Sequence, residues 1–217
     1  MSERVNVTEV TNEGFYDADS KSYDKQRWQT PGGSRTNRAQ QALVAELTAD
    51  WRGKRVLEVG PGTARFTMPL LRKGNRMVLA DLSSGMLETA RGNIEKEGFG
   101  NQVEDYVKAS AYALPFDDGS FDHAISLNVF NHLDNIGKAI AELGRVTRRG
   151  GTLLFNYGNL QSFYWPAARR INRNHKAIGL DVYSEWQAPA QIDALVRDAG
   201  LERIARLGNT HMPRALE

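Results

Sequence analysis

Two neighbouring stretches of the chain combine residues suited to holding a nucleotide. In the turn at residues 58–64, Gly60 and Gly62 let the backbone pass close to a ligand without side-chain obstruction. Asp81 follows 19 positions after Gly62, a spacing that suits a carboxylate accepting hydrogen bonds from ribose hydroxyls. A tight turn with an exposed aspartate is the plain structural alternative. The turn and the acid together favour a nucleotide site.

The spacing of the glycines separates kinds of nucleotide. The dinucleotide fingerprint has glycines at its first, third and sixth positions, which here are Gly60, Gly62 and Arg65. An arginine at the sixth position would obstruct close packing of the helix on the strand. The chain also leaves no room for a separate substrate domain, so a nicotinamide-dependent oxidoreductase is the weaker interpretation.

Predicted strands and helices alternate after the first 50 residues. The strands are predicted at residues 55–59, 77–80, a segment ending near Ala109, 121–127, 151–157 and 201–207. The helices are predicted at 38–50, after the glycine turn, from a Ser83 cap to about Lys96, from an Asp134 cap to about Thr147, and from Pro189. This order predicts an α/β fold with a doubly wound, mostly parallel sheet. Ligands of such sheets bind beyond the carboxyl ends of the strands, where the glycine turn and Asp81 fall.

Composition limits the class of protein. The chain has 217 residues, of which 41% are hydrophobic and 25% charged, which is ordinary for one globular domain spanning 1–217. It has no apolar run of about 18 residues and no secretory signal, so we expect a cytoplasmic protein. It contains no cysteine and its four histidines lack ligand spacing, so no metal site is predicted. A net charge of +2 is too small to indicate nucleic acid.

The segment VLEVGPGTARFT resembles the first motif of the class I S-adenosylmethionine-dependent methyltransferases. Segments at 81–87, 113–122, 128–133 and 142–151 resemble further motifs of that family in the same order, so the likeness covers roughly residues 36–207. It is strongest to the small-molecule and quinone-biosynthesis subgroup. The resemblance implies a Rossmann-like sheet of the seven-stranded type and S-adenosylmethionine as cofactor. It also implies methyl transfer to an O, N or C nucleophile of a small-molecule acceptor. Few residues follow position 208, so we expect an incomplete last strand or a shortened chain.

The resemblance also implies roles for single residues. The implied contacts are Gly60 and Gly62 along the methionyl part of the cofactor, Asp81 on the ribose, Leu82 and Met86 on the adenine, Ser110 and Ala111 at the adenine edge, and Asn128 facing the cofactor. Ser110 stands where many relatives carry an aspartate. His132 and Tyr157, at the ends of the fourth and fifth strands, are candidate bases by position alone. A structural hydrogen bond is the alternative for each.

Two segments flank this motif set. Residues 1–36 are predicted to form a lid, with Tyr23 near the sulfonium and Arg35 on the carboxylate of the cofactor; a frayed terminus is the alternative. Residues 158–187 form an insert in the substrate region. The insert is rich in aromatic side chains, and its basic cluster is Arg169, Arg170, Arg173, His175 and Lys176. A non-catalytic S-adenosylmethionine-binding module that acts through a partner remains the second interpretation of function.

Overall fold

The computed structural model describes residues 7–163, 165–166, 169–170 and 185–208. The helices are α1 (Val7–Asp19), α2 (Tyr23–Arg27), α3 (Pro31–Leu47), α4 (Thr67–Leu71), α5 (Ser84–Lys96), α6 (Ile136–Val146) and α7 (Pro189–Asp198). The strands are β1 (Arg55–Val59), β2 (Arg76–Asp81), β3 (Val103–Lys108), β4 (Phe121–Ser126) and β5 (Thr147–Phe155). Within the described ranges, no helix is long and apolar enough to span a membrane.

The strands form one sheet in the order β3-β2-β1-β4-β5, with every neighbouring pair parallel. Alternate residues of the buried strands reach opposite faces, as the two-residue period of a strand requires. Leu57 and Val59 pack with α6 and α7, whereas Val56 packs with α3, α4 and α5. Helices therefore cover both faces, and the predicted doubly wound parallel sheet is confirmed.

The strand predicted at residues 201–207 does not form. Residues 201–208 have no regular structure, and the described part of the sheet has five strands. Ion pairs hold this segment against α7 instead of in the sheet. Arg203 and Arg206 both form ion pairs with Asp193 of α7, with 3.2 Å between Arg203 Nε and Asp193 Oδ1. Ile204 is left 78% exposed.

Helix α3 begins at Pro31, seven residues before the predicted start. Thr30 is its N-cap, because its hydroxyl accepts a hydrogen bond from Gly33 N at 3.1 Å, and Pro31 occupies the first helical position. A Cβ on Gly33 would lie 1.9 Å from the carbonyl oxygen of Arg27. The sequence Pro31-Gly32-Gly33 is therefore the first turn of a helix packed tightly on α2, rather than a flexible loop.

The cap predicted for α6 is shifted by one residue. Asn135 caps this helix, since its side-chain oxygen accepts from Lys138 N at 3.1 Å. Asp134 instead accepts a hydrogen bond from the Tyr112 hydroxyl at 2.6 Å. Two other predictions are confirmed: Ser83 caps α5, and α7 begins at Pro189.

Candidate cofactor site

A pocket of about 930 Å³, including its open mouth, lies beyond the carboxyl ends of β1, β2 and β4. Nine of the predicted site residues line it: Tyr23, Gly60, Gly62, Asp81, Leu82, Met86, Ala111, Asn128 and His132. Arg35, Ser110 and Tyr157 lie outside its lining. The structure thus brings most of the sequence-predicted set to one place.

The glycine turn has an unusual run of left-handed backbone. Gly60, Gly62 and Ala64 have φ of +73°, +55° and +69°, a region that is costly for residues with a side chain. A Cβ on Gly60 would lie 2.2 Å from Val129 Cγ2, so the loop after β4 also requires a glycine there. A Cβ on Gly62 would meet nothing within 4 Å. Gly62 therefore borders the open space of the pocket.

Two carboxyl groups lie at the ends of neighbouring strands. Asp81 accepts a hydrogen bond from Ser83 N at 2.9 Å, and burial raises the pKa of Asp81 to about 6. Glu58 is fully buried below the glycine turn, where burial raises its pKa to about 7 despite a 2.6 Å hydrogen bond from the Thr67 hydroxyl. Asp81, which lines the pocket, is the carboxylate available to hydroxyl donors of a ligand.

Asn128 fixes the loop that follows β4. Its φ is +62°, in the left-handed region that asparagine tolerates better than most residues. Its side-chain oxygen accepts hydrogen bonds from Gln40 Nε2 at 3.3 Å and from Asn156 Nδ2 at 3.0 Å. Asn128 thereby joins α3 and the residues after β5 to the pocket.

The N-terminal segment lies across this pocket and is tied to several of its loops. Asn12 Nδ2 donates to the carbonyl oxygen of His132 at 2.9 Å, and the Tyr16 hydroxyl lies 3.0 Å from His132 Nε2. The Thr63 hydroxyl donates to Asp24 at 2.7 Å. Sequence patterns predicted a cover here but missed Asn12 and Tyr16 of α1 and Trp28 after α2, because nothing local indicates which of these side chains face the pocket.

Arg65 is the second feature that sequence reasoning missed, since it was considered only as an obstacle to close packing of the helix on the strand. It lines the pocket, and its guanidinium lies 3.8 Å from the ring centroid of Trp28 and 4.0 Å from that of Phe66. It donates to Asn37 Oδ1 at 2.8 Å and to Gln40 Oε1 at 3.0 Å. Burial lowers its pKa to about 10, so it remains a cation at neutral pH.

Two polar atoms of the N-terminal segment have no hydrogen-bond partner in the described part of the chain. Asn12 Oδ1 and Trp28 Nε1 are buried, and neither has a hydrogen bond within the described residues. Both residues line the pocket. A buried donor or acceptor without a partner costs about 1–3 kcal/mol, which a ligand in the pocket can recover. These atoms therefore indicate where polar groups of a bound molecule fit.

The remaining predicted residues lie elsewhere. Arg35 is exposed on α3. The Ser110 hydroxyl accepts from Tyr112 N at 3.0 Å, within its own turn. Tyr157 packs against the core, and burial raises its pKa.

The insert is described only at its two ends. Gly158 N donates to Asn131 Oδ1 at 2.6 Å, and Gln187 N donates to the carbonyl oxygen of Gly158 at 2.7 Å. The ends are therefore joined to each other and to the loop that carries His132. The predicted insert residues Tyr164, Arg173, His175, Lys176 and Tyr183 lie outside the described residues.

Comparison with known proteins agrees with this geometry. A family model described as "Methyltransferase domain" matches residues 57–155. The chain is 33% identical over 156 residues to a ubiquinone/menaquinone biosynthesis C-methyltransferase of Cronobacter sakazakii, covering 70% of this chain and 57% of that protein. It is 39% identical over 178 residues to the protein of that name from Enterobacter sp. strain 638, covering 70% and 68%.

The fold has matches among solved structures. One is an S-adenosylmethionine-dependent methyltransferase of Thermotoga maritima, described as a possible histamine N-methyltransferase. It has a TM-score of 0.65 and 22% identity over 88% of this chain and 81% of that one. At that identity the likeness shows the fold alone. The relative from Enterobacter shows the family: the chain belongs to the class I S-adenosylmethionine-dependent methyltransferases, in their quinone-biosynthesis-like group.

Proposed function

We propose that this chain binds S-adenosylmethionine in the pocket and transfers its methyl group to an O, N or C nucleophile of a small-molecule acceptor. The observation that carries the proposal is the placement of Asp81 beside the open side of Gly62, in a pocket that the N-terminal segment covers. The residues fit the cofactor: a carboxylate suits the ribose hydroxyls, and Leu82, Met86 and Ala111 supply an apolar wall for the adenine.

Arg65 suits the carboxylate of the cofactor better than Arg35. Arg65 is a half-buried cation on the pocket wall, whereas Arg35 is exposed outside the lining. Trp28 Nε1, which has no hydrogen bond to any described residue, belongs to the ring that stacks on the Arg65 guanidinium. A carboxylate at this place gains a charge-assisted contact and satisfies a buried donor, and both contributions favour binding.

The chain itself contributes to methyl transfer by aligning the two reactants and by excluding water from them. The bound cofactor supplies a methyl group activated by the sulfonium. The chain must hold the acceptor's nucleophile in line with it and keep water away. The segment formed by α1 and α2 suits this task because it crosses the pocket and contacts the loops after β1 and β4, the first turn of α5 and the last residue of β3.

The acceptor side of the pocket suits a flat apolar molecule. We place the acceptor beside Leu127 and Leu133, two apolar residues of the pocket lining. The names of these relatives refer to ubiquinone and menaquinone biosynthesis, which supports a quinol-type ring as acceptor. The chain spans 57% of the length of the Cronobacter relative, so the acceptor of that protein is a guide and not an assignment.

Calorimetry and product analysis test the proposal. Titration with S-adenosylmethionine, S-adenosylhomocysteine and NADH should show binding of the first two only. Incubation with S-adenosylmethionine and 1,4-dihydroxynaphthalene, or a panel of phenols and amines, should then release S-adenosylhomocysteine and a methylated product. Binding without product from the whole panel would favour the non-catalytic module. NADH binding alone would reject the proposal.

A further inference from the structure

Helix α1 places two polar side chains beside His132 in the covered pocket. The Tyr16 hydroxyl lies 3.0 Å from His132 Nε2, with the two rings edge to face at a centroid distance of 5.7 Å. Asn12 holds the backbone of His132 through its Nδ2, and its Oδ1 is buried without a partner in the described part of the chain. All three residues line the pocket that Gly60 and Asp81 also line.

The surroundings keep the Tyr16 phenol protonated. Burial, the largest influence, raises the pKa of Tyr16; Tyr23 and Asp81 raise it further, and the Arg27 guanidinium opposes them. Arg27 is held by Asp19 at 3.4 Å and lies over the Tyr23 ring, with its central carbon 4.4 Å from the centroid. Tyr16 can therefore pass a proton on without carrying a standing negative charge, and Arg27 stabilises any charge that develops.

We propose that Tyr16 and His132 form a proton relay for a phenolic acceptor hydroxyl, and that Asn12 Oδ1 accepts a hydrogen bond from a second donor of the same molecule. The acceptor's O–H bond breaks, its electron pair stays on the acceptor oxygen, and its proton moves to the Tyr16 oxygen. The proton of Tyr16 moves to His132 Nε2, which leaves an imidazolium that later loses its proton to solvent.

The phenol class follows from matched acidity. A phenol has the same ordinary pKa as tyrosine, about 10, and burial in the same pocket raises the pKa of both, so a proton passes between the two at little cost. An alkyl alcohol holds its proton far more tightly. A protonated nucleophile is also the case in which a methyltransferase gains from a base at all. The relay rests on the proposed methyl transfer, but it is testable without turnover.

The test uses 4-nitrophenol, whose phenolate absorbs visible light, bound to the full chain in the presence of S-adenosylhomocysteine. Spectral titration against pH measures the ionisation of the bound probe. We expect the wild type to ionise it more readily than water does. Tyr16→Phe and His132→Asn should each reduce the ionisation constant of the bound probe about tenfold, one pKa unit. Tyr157→Phe is the matched control, because Tyr157 lies outside the pocket lining.

Nitrogen-15 NMR of the histidines supplies a second measurement. The relay requires that neutral His132 carry its proton on Nδ1, so that Nε2 accepts from Tyr16. A protonated Nε2 in neutral His132 would overturn the proposal. So would equal probe ionisation in the wild type and Tyr16→Phe, or a wild type that leaves the probe neutral or unbound. Calorimetric binding of S-adenosylmethionine to the same protein variants, prepared without S-adenosylhomocysteine, separates these outcomes from failure of the proposed function.

Discussion

Asp17 of α1 and Ser83 at the N-terminus of α5 are hydrogen-bonded, with the Ser83 hydroxyl donating to Asp17 Oδ1. The same oxygen accepts from Gly85 N at 2.9 Å. These hydrogen bonds lower the pKa of Asp17, and an anion at a helix N-terminus is favoured by the helix dipole. The N-terminal segment is thus hydrogen-bonded to the chain two residues after Asp81, so this segment and the carboxylate proposed to bind the ribose belong to one connected unit.

We expect Asp17→Ala to loosen the cover without unfolding the sheet. The variant loses two hydrogen bonds to a charged acceptor, about 1.5–3 kcal/mol each at most. Hydrogen exchange should become faster in residues 7–36 and stay unchanged in β1 and β2. Added S-adenosylmethionine should slow exchange of residues 20–36 in the wild type. Asp198→Ala, at an exposed position ending α7, is the control. Cofactor-independent exchange in the wild type would reject the lid.

Asp81→Asn should weaken binding of S-adenosylmethionine tenfold to a hundredfold. Loss of a hydrogen bond to a charged group costs about 1.5–3 kcal/mol, which corresponds to that range. Calorimetry on both proteins measures it. The fold should survive, because an amide of the same shape keeps an oxygen for Ser83 N. An unchanged dissociation constant in a folded variant would remove Asp81 from the cofactor site.

Glu58→Gln should change how stability depends on pH. The folded pKa of Glu58, about 7, is raised above its ordinary value of 4.5, so the folded state holds the proton more tightly than the unfolded state. The resulting stability is full below the unfolded pKa and is lost as pH rises through about 7. As the pH rises from about 5 to about 8, the urea midpoint of the variant should therefore increase relative to that of the wild type. A constant difference over this interval would contradict the raised pKa.

The two glycines of the turn should respond differently to alanine. The Cβ added by Gly62→Ala would lie in open space. The variant should therefore lose only the stability that a left-handed backbone costs a residue with a side chain, about 1–2 kcal/mol. Gly60→Ala should cost more, because its Cβ would lie 2.2 Å from Val129 Cγ2. Denaturant unfolding of both variants measures the difference. Val129→Ala should recover part of the loss in Gly60→Ala and none in Gly62→Ala; additive effects would contradict the contact.

Arg65→Gln and Arg35→Gln distinguish the two arginines. If Arg65 holds the carboxylate of the cofactor, Arg65→Gln should weaken binding of S-adenosylmethionine about tenfold or more. Binding of 5′-methylthioadenosine, which lacks that carboxylate, should change little. Arg35→Gln should leave both affinities unaltered. Equal losses for the two ligands would indicate that Arg65 only supports the Trp28 ring, and a loss confined to Arg35→Gln would favour the sequence-based assignment.

Local sequence determined the frame of this protein. Buried apolar runs at residues 55–59 and 77–80 specified β1 and β2, and Ser83 specified the start of α5, because strand burial and helix capping depend on neighbouring residues. Gly60, Gly62 and Asp81 follow those strands directly. Parallel strands bring their carboxyl ends to one edge, so the location of the pocket followed from the order of elements.

The cover and the far edge of the sheet were decided by tertiary contacts. Tyr16 and His132 are 116 positions apart, and no local pattern specifies which face of α1 docks on the loop after β4. Arg65 lies in the wall of the pocket, where its guanidinium packs against the rings of Trp28 and Phe66. Phe66 is its neighbour in sequence, but Trp28 is brought to it only by the tertiary fold. Residues 201–207 have strand-like composition, yet the ion pairs of Arg203 and Arg206 with Asp193 hold them on α7. Strand formation requires a partner edge, which a single segment cannot encode.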